Sequence, residues 1–156
     1  MSMSKPQFVY VTYISTTPEK LWNALTDGEL TKQYWVRHRN VSDWKPGSPW
    51  RHEDYDNPKL VDIAGQVLES APPRRLVLTW ANPSELADPA KVSRVTFEIE
   101  PFKDIVRLTV THEELESGSA MLKGITMGWP IVLSSLKTFL ETGTAIPMMT
   151  TREGWH

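Results

Sequence analysis

The chain has 156 residues, and its 17 basic and 19 acidic side chains give a formal net charge of −2 at pH 7. This balance argues against a protein that binds nucleic acid through phosphate contacts. The absence of cysteine excludes disulfides, thiolate nucleophiles, iron–sulfur clusters and zinc held by cysteine.

The first part of the chain predicts a strand followed by two short helices. Residues 7–15 are mostly β-branched and aromatic, which is typical of a strand. Thr17 suits the N-cap of a helix and Pro18 its first position, and we expect this helix to end at Gly28. A second short helix is predicted over 29–35.

The middle of the chain predicts an antiparallel meander, because short apolar segments alternate with turn signals. Within 40–58, where Pro46-Gly47 and Asn57-Pro58 indicate turns, only one strand is predicted. We also expect a bulge at Gly65 in the strand that follows. The predicted strands are 50–55, 61–69, 75–80, 92–100 and 104–113.

A long helix is predicted from Ser119 to about Glu141, with Gly143 as its C-terminal cap. Pro130 falls inside the pattern, and we expect it to kink the helix or divide it. Apolar residues recur at three- and four-residue steps along one face: Leu122, Ile125, Trp129, Val132, Leu133, Leu136, Phe139 and Leu140.

These elements predict an α+β architecture in which a curved antiparallel sheet of about six strands wraps around the C-terminal helix. The last helix is the only predicted element long enough to cover the apolar face of the sheet. Such an arrangement leaves an interior gap, so the sequence predicts a cavity. We expect a single domain over 1–156, with a core at about 7–143 and a tail at 144–156.

Three segments resemble a known family. The opening TTPEKLWNALTDGELTKQYW and the closing GWPIVLSSLKTFLETG are similar to the two end signatures of the SRPBCC superfamily. The middle segment GQVLESAPPRRLVLTW resembles the branch named after the activator of Hsp90 ATPase homologue 1. The resemblance covers roughly residues 7–143 and implies a helix-grip (START-like, Bet v 1-like) fold with a cavity between the sheet and the last helix. It implies no particular ligand, since the superfamily includes lipid carriers, cyclases, sensors and co-chaperone domains.

Strand alternation and helix spacing select the side chains expected to line the cavity. The seven tryptophans are distributed accordingly: Trp22 is assigned to the core, Trp155 to the tail, and five, including Trp44, to the space between sheet and helix. The predicted ligand-binding cavity consists of Trp35, Trp50, Tyr55, Leu78, Trp80, Phe97, Leu108, His112, Trp129 and Leu133.

His112 is the titratable residue of most interest, because its strand register turns it inward. It suits either a general base or a core histidine with satisfied hydrogen bonds. His38 is expected to face solvent within a basic run. The run His52-Glu53-Asp54 is not expected to hold a metal, because adjacent strand residues point to opposite faces. No cofactor is expected, and no nucleophile or phosphate-binding motif occurs.

Three functions remain open. The first is a binding protein for a hydrophobic or aromatic small molecule, without catalysis. The second is a cyclase-like or hydrolase-like enzyme that uses His112, with Tyr55 or Glu53, as acid–base groups. The third is a co-chaperone module acting on an Hsp90-like ATPase. It is disfavoured because the eukaryotic activator carries an additional N-terminal domain for which 156 residues leave no room.

The sequence also predicts the cellular location of the protein. No apolar stretch is long enough for a membrane-spanning helix, and the N-terminus lacks the apolar core of a signal peptide. We therefore expect a cytoplasmic protein that has no membrane span and does not bind nucleic acid. Whether it forms a homodimer is left open by the sequence.

Overall fold

A computed structural model describes residues 5–152 of the chain. Within this range, none of the helices combines the length and the hydropathy that a membrane span requires. Three single 3₁₀ turns, at Pro83–Glu85, Pro89–Lys91 and Pro147–Met149, lie in the connections. The main elements are β1 (Phe8–Ile14), α1 (Pro18–Thr26), α2 (Gly28–Tyr34), β2 (His38–Val41), β3 (Pro49–Asp54), β4 (Val61–Ala71), β5 (Arg75–Trp80), β6 (Ser93–Phe102), β7 (Ile105–Glu113) and α3 (Ala120–Thr142).

The described strands form one antiparallel sheet in the order β1-β7-β6-β5-β4-β3-β2, curled around α3 as the helix-grip prediction requires. Alternation along β7 is regular: Val106, Leu108, Val110 and His112 are buried, and the residues between them are half-buried. The inward faces of the sheet and the apolar face of α3 form a continuous hydrophobic core. The predicted α+β fold class is confirmed.

The sheet has seven strands where about six were predicted, and the strand that sequence analysis missed is β2. This strand has only four residues, and it pairs with β3 from His38↔Asp54 to Val41↔Arg51. Its inward residues are His38 and Asn40, which are polar and buried. A strand that turns polar side chains inward lacks the apolar alternation from which strands are recognised.

One aspartate ends the first helix and begins the second. Thr17 caps α1 as predicted, accepting a hydrogen bond from the backbone N–H of Lys20. Asp27 is both the C-cap of α1 and the N-cap of α2, with its carboxylate accepting from the N–H of Glu29. The prediction that Gly28 ends the first helix was wrong, because Gly28 is the first residue of the second.

Helix α3 runs through Pro130 without division. Proline removes one backbone hydrogen bond from the helix interior, at a cost of about 3 kcal/mol. Trp129 and Leu133 on either side of Pro130 are both buried in the core, and their packing offsets that cost. Gly143 takes the left-handed conformation, with φ 89°, and ends the helix as predicted.

Gly65 is not the site of a bulge, since it pairs regularly with Trp50 of β3. The register shift in the pairing of β4 with β5 lies instead between Val67 and Glu69. The reason for a glycine here is a close approach: a Cβ at Gly65 would lie 2.0 Å from the carbonyl oxygen of Thr79. The glycine therefore lets the backbones of the neighbouring strands β4 and β5 lie in direct contact at this position.

We expect Gly65→Ala to lower the free energy of unfolding by at least about 3 kcal/mol, because the added methyl group meets backbone rather than a movable side chain. Urea denaturation followed by circular dichroism measures this. The matched control is Gly124→Ala in α3, where nothing other than the adjoining helix backbone and chain neighbours lies within 4 Å of the new Cβ. The control should be neutral or stabilising, and equal losses in both variants would contradict the close-approach explanation.

Candidate functional site

Four of the tryptophans form a cluster between the sheet and α3. The ring centroid of Trp80 lies 5.3 Å from that of Trp129, 5.4 Å from that of Trp50 and 6.5 Å from that of Trp35. Trp35 and Trp129 are 5.6 Å apart, nearly edge to face. All four are at least nine-tenths buried. Such ring pairs add about 0.5–1.5 kcal/mol each to the energy of burial.

The other tryptophans lie elsewhere. Trp22 belongs to the core on α1, as predicted. The expectation for Trp44 was wrong: it lies apart from the cluster at the end of α1, where its indole N–H donates to the carbonyl of Thr26 at 2.9 Å. Trp155, and with it 153–156 of the predicted tail, lies outside the described residues.

A pocket of about 370 Å³ lies between the N-terminal half of α3 and the sheet. This volume is within the range of small-molecule sites. A stripe of small residues on α3, Ala120, Gly124 and Gly128, keeps the helix side of the pocket open. The lining residues are Trp35, Val36, His52, Asp62, Ile63, Trp80, Asn82, Ala120, Met121, Gly124, Ile125, Gly128, Trp129, Val132 and Met149.

Three of the ten predicted cavity residues, Trp35, Trp80 and Trp129, line this pocket. Trp50 lies behind Trp80, and its indole N–H donates to the carbonyl of Thr79 at 2.8 Å. The remaining apolar residues of the predicted set are part of the packed core: Leu78, Phe97, Leu108 and Leu133.

The pocket is smaller than the predicted cavity because α3 meets the sheet closely along its C-terminal half. Leu133 and Leu136 are essentially fully buried there and fill the space. Tyr55 lies outside the pocket altogether: its hydroxyl donates to the Glu29 carboxylate at 2.9 Å, and the Lys32 ammonium lies 4.0 Å from its ring centroid.

The pocket residues that sequence analysis missed come from strands β3 and β4, from connections and from α3. Met149 belongs to the predicted tail, yet it is fully buried, and its carbonyl accepts from the N–H of Val36 at 2.8 Å. The four-residue spacing of Ala120, Gly124 and Gly128 is a signal that would have located the groove on α3. Nothing local in the sequence indicates that Met149 returns to the pocket.

His112 is buried in the core, where both of its ring nitrogens form hydrogen bonds, and it does not line the pocket. Its Nδ1 accepts from the Trp129 indole N–H at 3.0 Å. Ser93 donates its only hydroxyl proton to the Trp80 carbonyl at 2.9 Å, so its oxygen accepts from Nε2–H of His112 at 2.8 Å. Burial lowers the pKa of His112 to about 3. The ring is therefore neutral, and neither nitrogen is free for a substrate.

His38 is buried, although the sequence predicted that it faces solvent. Val36 and Arg37 have φ of 43° and 56°, and this left-handed turn after α2 directs the ring inward. Its Nδ1 is 2.9 Å from the carbonyl of Val36 and its Nε2 is 2.7 Å from the Asp62 carboxylate. Burial opposes its charge, but both nitrogens face acceptors, so the pKa of His38 is raised.

His52 is stacked on His38, with ring centroids 4.9 Å apart, and it lines the pocket. Asn40 donates through its amide nitrogen to the carbonyl of Leu25, so its oxygen faces His52 Nδ1 at 2.7 Å and accepts from it. Burial, and then the neighbouring His38 charge, lowers the pKa of His52 to about 3. The ring is neutral, with its proton on Nδ1.

His52, Glu53 and Asp54 are all buried, but the pairing with β2 sets Glu53 opposite Arg39, and His52 and Asp54 opposite the inward residues Asn40 and His38, so Glu53 faces the other side of the sheet as the alternation predicts. The Glu53 carboxylate lies 3.5 Å from the guanidinium of Arg39 and 3.4 Å from that of Arg51, next to the point where the register with β4 shifts. Within residues 5–152, no group of three or more potential ligands is arranged to hold a metal ion.

We expect the free energy of unfolding to fall as the pH drops from about 6.5 towards 3. His52 and His112 stay neutral in the folded state but take up protons on unfolding, since their pKa rises from about 3 to 6.5. Two protons give a slope of up to about 2.7 kcal/mol per pH unit. His38 has a raised pKa and acts in the opposite sense, but only above pH 6.5.

Urea denaturation at pH values from 7.5 to 5 measures the slope. His112→Gln keeps a donor for Ser93 and removes one of the two protons, so the slope should fall to about half. An unchanged slope in this variant would show that His112 does not titrate on unfolding.

Solved structures from three organisms share the fold. The solution structure of the Aha1 dimer from Colwellia psychrerythraea has a TM-score of 0.73 at 19% identity, covering 88% of this chain and 98% of that one. An HSP90 activator from Plasmodium falciparum has a TM-score of 0.71 at 21% identity, with 86% and 95% covered. A Mesorhizobium loti protein has a TM-score of 0.71 at 27% identity, with 86% and 96% covered.

The sequence itself was compared with known families and with curated proteins. No curated protein matches it. The family model described as activator of Hsp90 ATPase homolog 1-like protein matches residues 15–141, from the end of the first strand to the end of the last helix. The chain therefore belongs to the activator of Hsp90 ATPase homologue 1-like family.

Proposed function

We propose that this protein binds a hydrophobic or aromatic small molecule in the pocket between α3 and the sheet. The observation that carries the proposal is the pocket wall itself: three indole rings and several aliphatic side chains surround about 370 Å³. A mostly apolar site with a few polar groups is the usual composition of a small-molecule site. His52, Asp62 and Asn82 are the polar groups of this wall.

The chemistry of the wall favours binding over catalysis. None of the lining residues is a serine, threonine, tyrosine or lysine, so the described pocket offers neither a hydroxyl nor an amine nucleophile. His52 is the only imidazole in the wall, and a pKa of about 3 makes it a weak base at neutral pH. His112, the base of the cyclase-like alternative, has both nitrogens occupied by Trp129 and Ser93.

The Hsp90-related names belong to structural relatives that are 19% and 21% identical to this chain. Identity at that level supports a common fold and leaves the partner of this chain undetermined. The pocket is therefore the basis of the proposed function.

We expect the neutral fluorescent probe N-phenyl-1-naphthylamine to bind saturably at one site, and Gly128→Leu to weaken that binding at least about tenfold. Gly128 lines the pocket, and nothing other than the adjoining helix backbone and chain neighbours lies within 4 Å of a Cβ built on it, so a leucine fills pocket volume without a clash at its Cβ. Replacing a helical glycine should also leave stability unchanged or raise it by about 0.5–1 kcal/mol. Probe fluorescence and urea denaturation measure the two effects.

The matched control is Met127→Leu, at the neighbouring position of α3. Met127 is 75% exposed and does not line the pocket, so this variant should bind the probe as the unaltered protein does. If Gly128→Leu folds normally and still binds with unchanged affinity, the probe does not occupy this pocket. Absence of saturable binding to the unaltered protein would overturn the proposed function.

A further inference from the structure

Strand β4 has one extra residue where it pairs with β3, and that residue is Asp62. His52 pairs with Ile63 and Glu53 pairs with Val61, so Asp62 lies opposite no residue of β3 in this register. An extra residue of this kind changes the direction of the side chains around it. Asp62 and Ile63 are consecutive, yet both line the pocket, which regular strand alternation does not allow.

The Asp62 carboxylate is both accessible and held in place. Its side chain is 54% exposed and lines the pocket. Its Oδ2 lies 2.7 Å from Nε2 of His38, and the His38 side chain is only 2% exposed. Nδ1 of the same ring lies 2.9 Å from the carbonyl oxygen of Val36, so the imidazole is held on both sides. A buried ring therefore fixes a carboxylate that a molecule in the pocket can contact.

The chemistry of this group selects a hydrogen-bond donor. A carboxylate offers about four lone-pair positions and donates no proton, and one contact with His38 uses one of those positions. The rest of the wall is mostly indole and aliphatic, and in such surroundings a hydrogen bond is electrostatically stronger than in water. A ligand hydroxyl at this position would form a charge-assisted hydrogen bond, which is stronger than one between neutral groups.

We infer that Asp62 is the polar anchor of the pocket and that the ligand is an uncharged aromatic molecule whose hydroxyl group donates to the Asp62 carboxylate. This inference rests on the proposed function and specifies its ligand class. The indoles of Trp35, Trp80 and Trp129 supply the apolar contact surface, and the hydrogen bond orients the ring system against it. Phenols have this chemistry, whereas hydrocarbons and aryl ethers lack the donor.

The charges around Asp62 favour an uncharged donor over an ion. Among the described lining residues, Asp62 alone has a side chain that is charged at neutral pH. Both nitrogens of His38 face acceptors, which raises its pKa and favours the charged ring beside Asp62. A cationic ligand would lose its water to meet a carboxylate that already has a cation next to it. An anionic ligand would meet Asp62 with no cation among the described lining residues.

Probes with one ring system isolate the donor. 2-Naphthol has the hydroxyl group, 2-methoxynaphthalene replaces the hydroxyl hydrogen with a methyl group, and naphthalene has no oxygen. We expect 2-naphthol to displace N-phenyl-1-naphthylamine with an affinity about five- to tenfold higher than that of either other probe. The anion 2-naphthoate and the cation (2-naphthyl)methylammonium should both bind more weakly than 2-naphthol.

Asp62→Ala tests the acceptor in the protein. The variant should lose about five- to tenfold in affinity for 2-naphthol and change the affinity for the other two neutral probes by less than about twofold. Asp62→Asn keeps the size of the side chain and removes its charge, so it should lose affinity for 2-naphthol by a smaller factor. Comparison between probes within one variant cancels any general loss of stability.

The matched control is Asp104→Ala. Asp104 is an exposed aspartate in the turn between β6 and β7, and it does not line the pocket. This variant should keep the preference of the unaltered protein for 2-naphthol. An equal loss of preference in both alanine variants would contradict a specific role of Asp62.

The outcomes distinguish the two proposals. Equal affinities of the three neutral probes, equal losses for all three in Asp62→Ala, or a charged probe that binds better than 2-naphthol would overturn the inference about Asp62. Each of these results would leave the apolar pocket as the binding site. Failure of every probe to bind, N-phenyl-1-naphthylamine included, would overturn the proposed function and the inference with it.

Discussion

A chain of three hydrogen bonds between α3 and the sheet holds the site in place. The Trp129 indole donates to His112, His112 donates to Ser93, and Ser93 donates to the carbonyl of Trp80. The chain links α3 to β7, β6 and β5 in succession, and all its side chains are buried. It requires a neutral imidazole with its proton on Nε2, because a charged ring would present a second donor where the Trp129 N–H already points.

The two halves of α3 have different roles because their neighbours differ. Along the C-terminal half, Ser135 donates to the carbonyl of Tyr34, and the Tyr34 hydroxyl donates to the carbonyl of Ala24. These contacts tie the helix to α2 and α1, and the space is filled. Along the N-terminal half, Gly124 and Gly128 bring no side chain towards the sheet. The pocket therefore occupies one half of the helix–sheet interface.

Much of the fold was predictable from local patterns. Thr17 and Gly143 mark helix ends because capping is a contact between near neighbours in the chain. The inward faces of the later strands follow from alternation. Prediction failed where long-range contacts decide: His38 is buried by a left-handed turn and a pairing with Asp62, and Gly65 is explained by Thr79. The candidate site was predicted only in part, since Trp35, Trp80 and Trp129 line the pocket while its polar residues were missed.

The sequence by itself determined the family, the fold class and the abundance of tryptophan between sheet and helix. Periodicity and capping depend on residues that are close together in the chain, so they can be recognised without the tertiary structure. Only the tertiary structure decided how the seven tryptophans are used. Trp44 lies apart, Trp50 packs against Trp80, and Trp80 lines the pocket while its buried indole N–H has no hydrogen-bond partner among residues 5–152. The physical reason is that a side chain can bond only to atoms that lie next to it in the folded protein. Strand order and helix position determine which atoms those are.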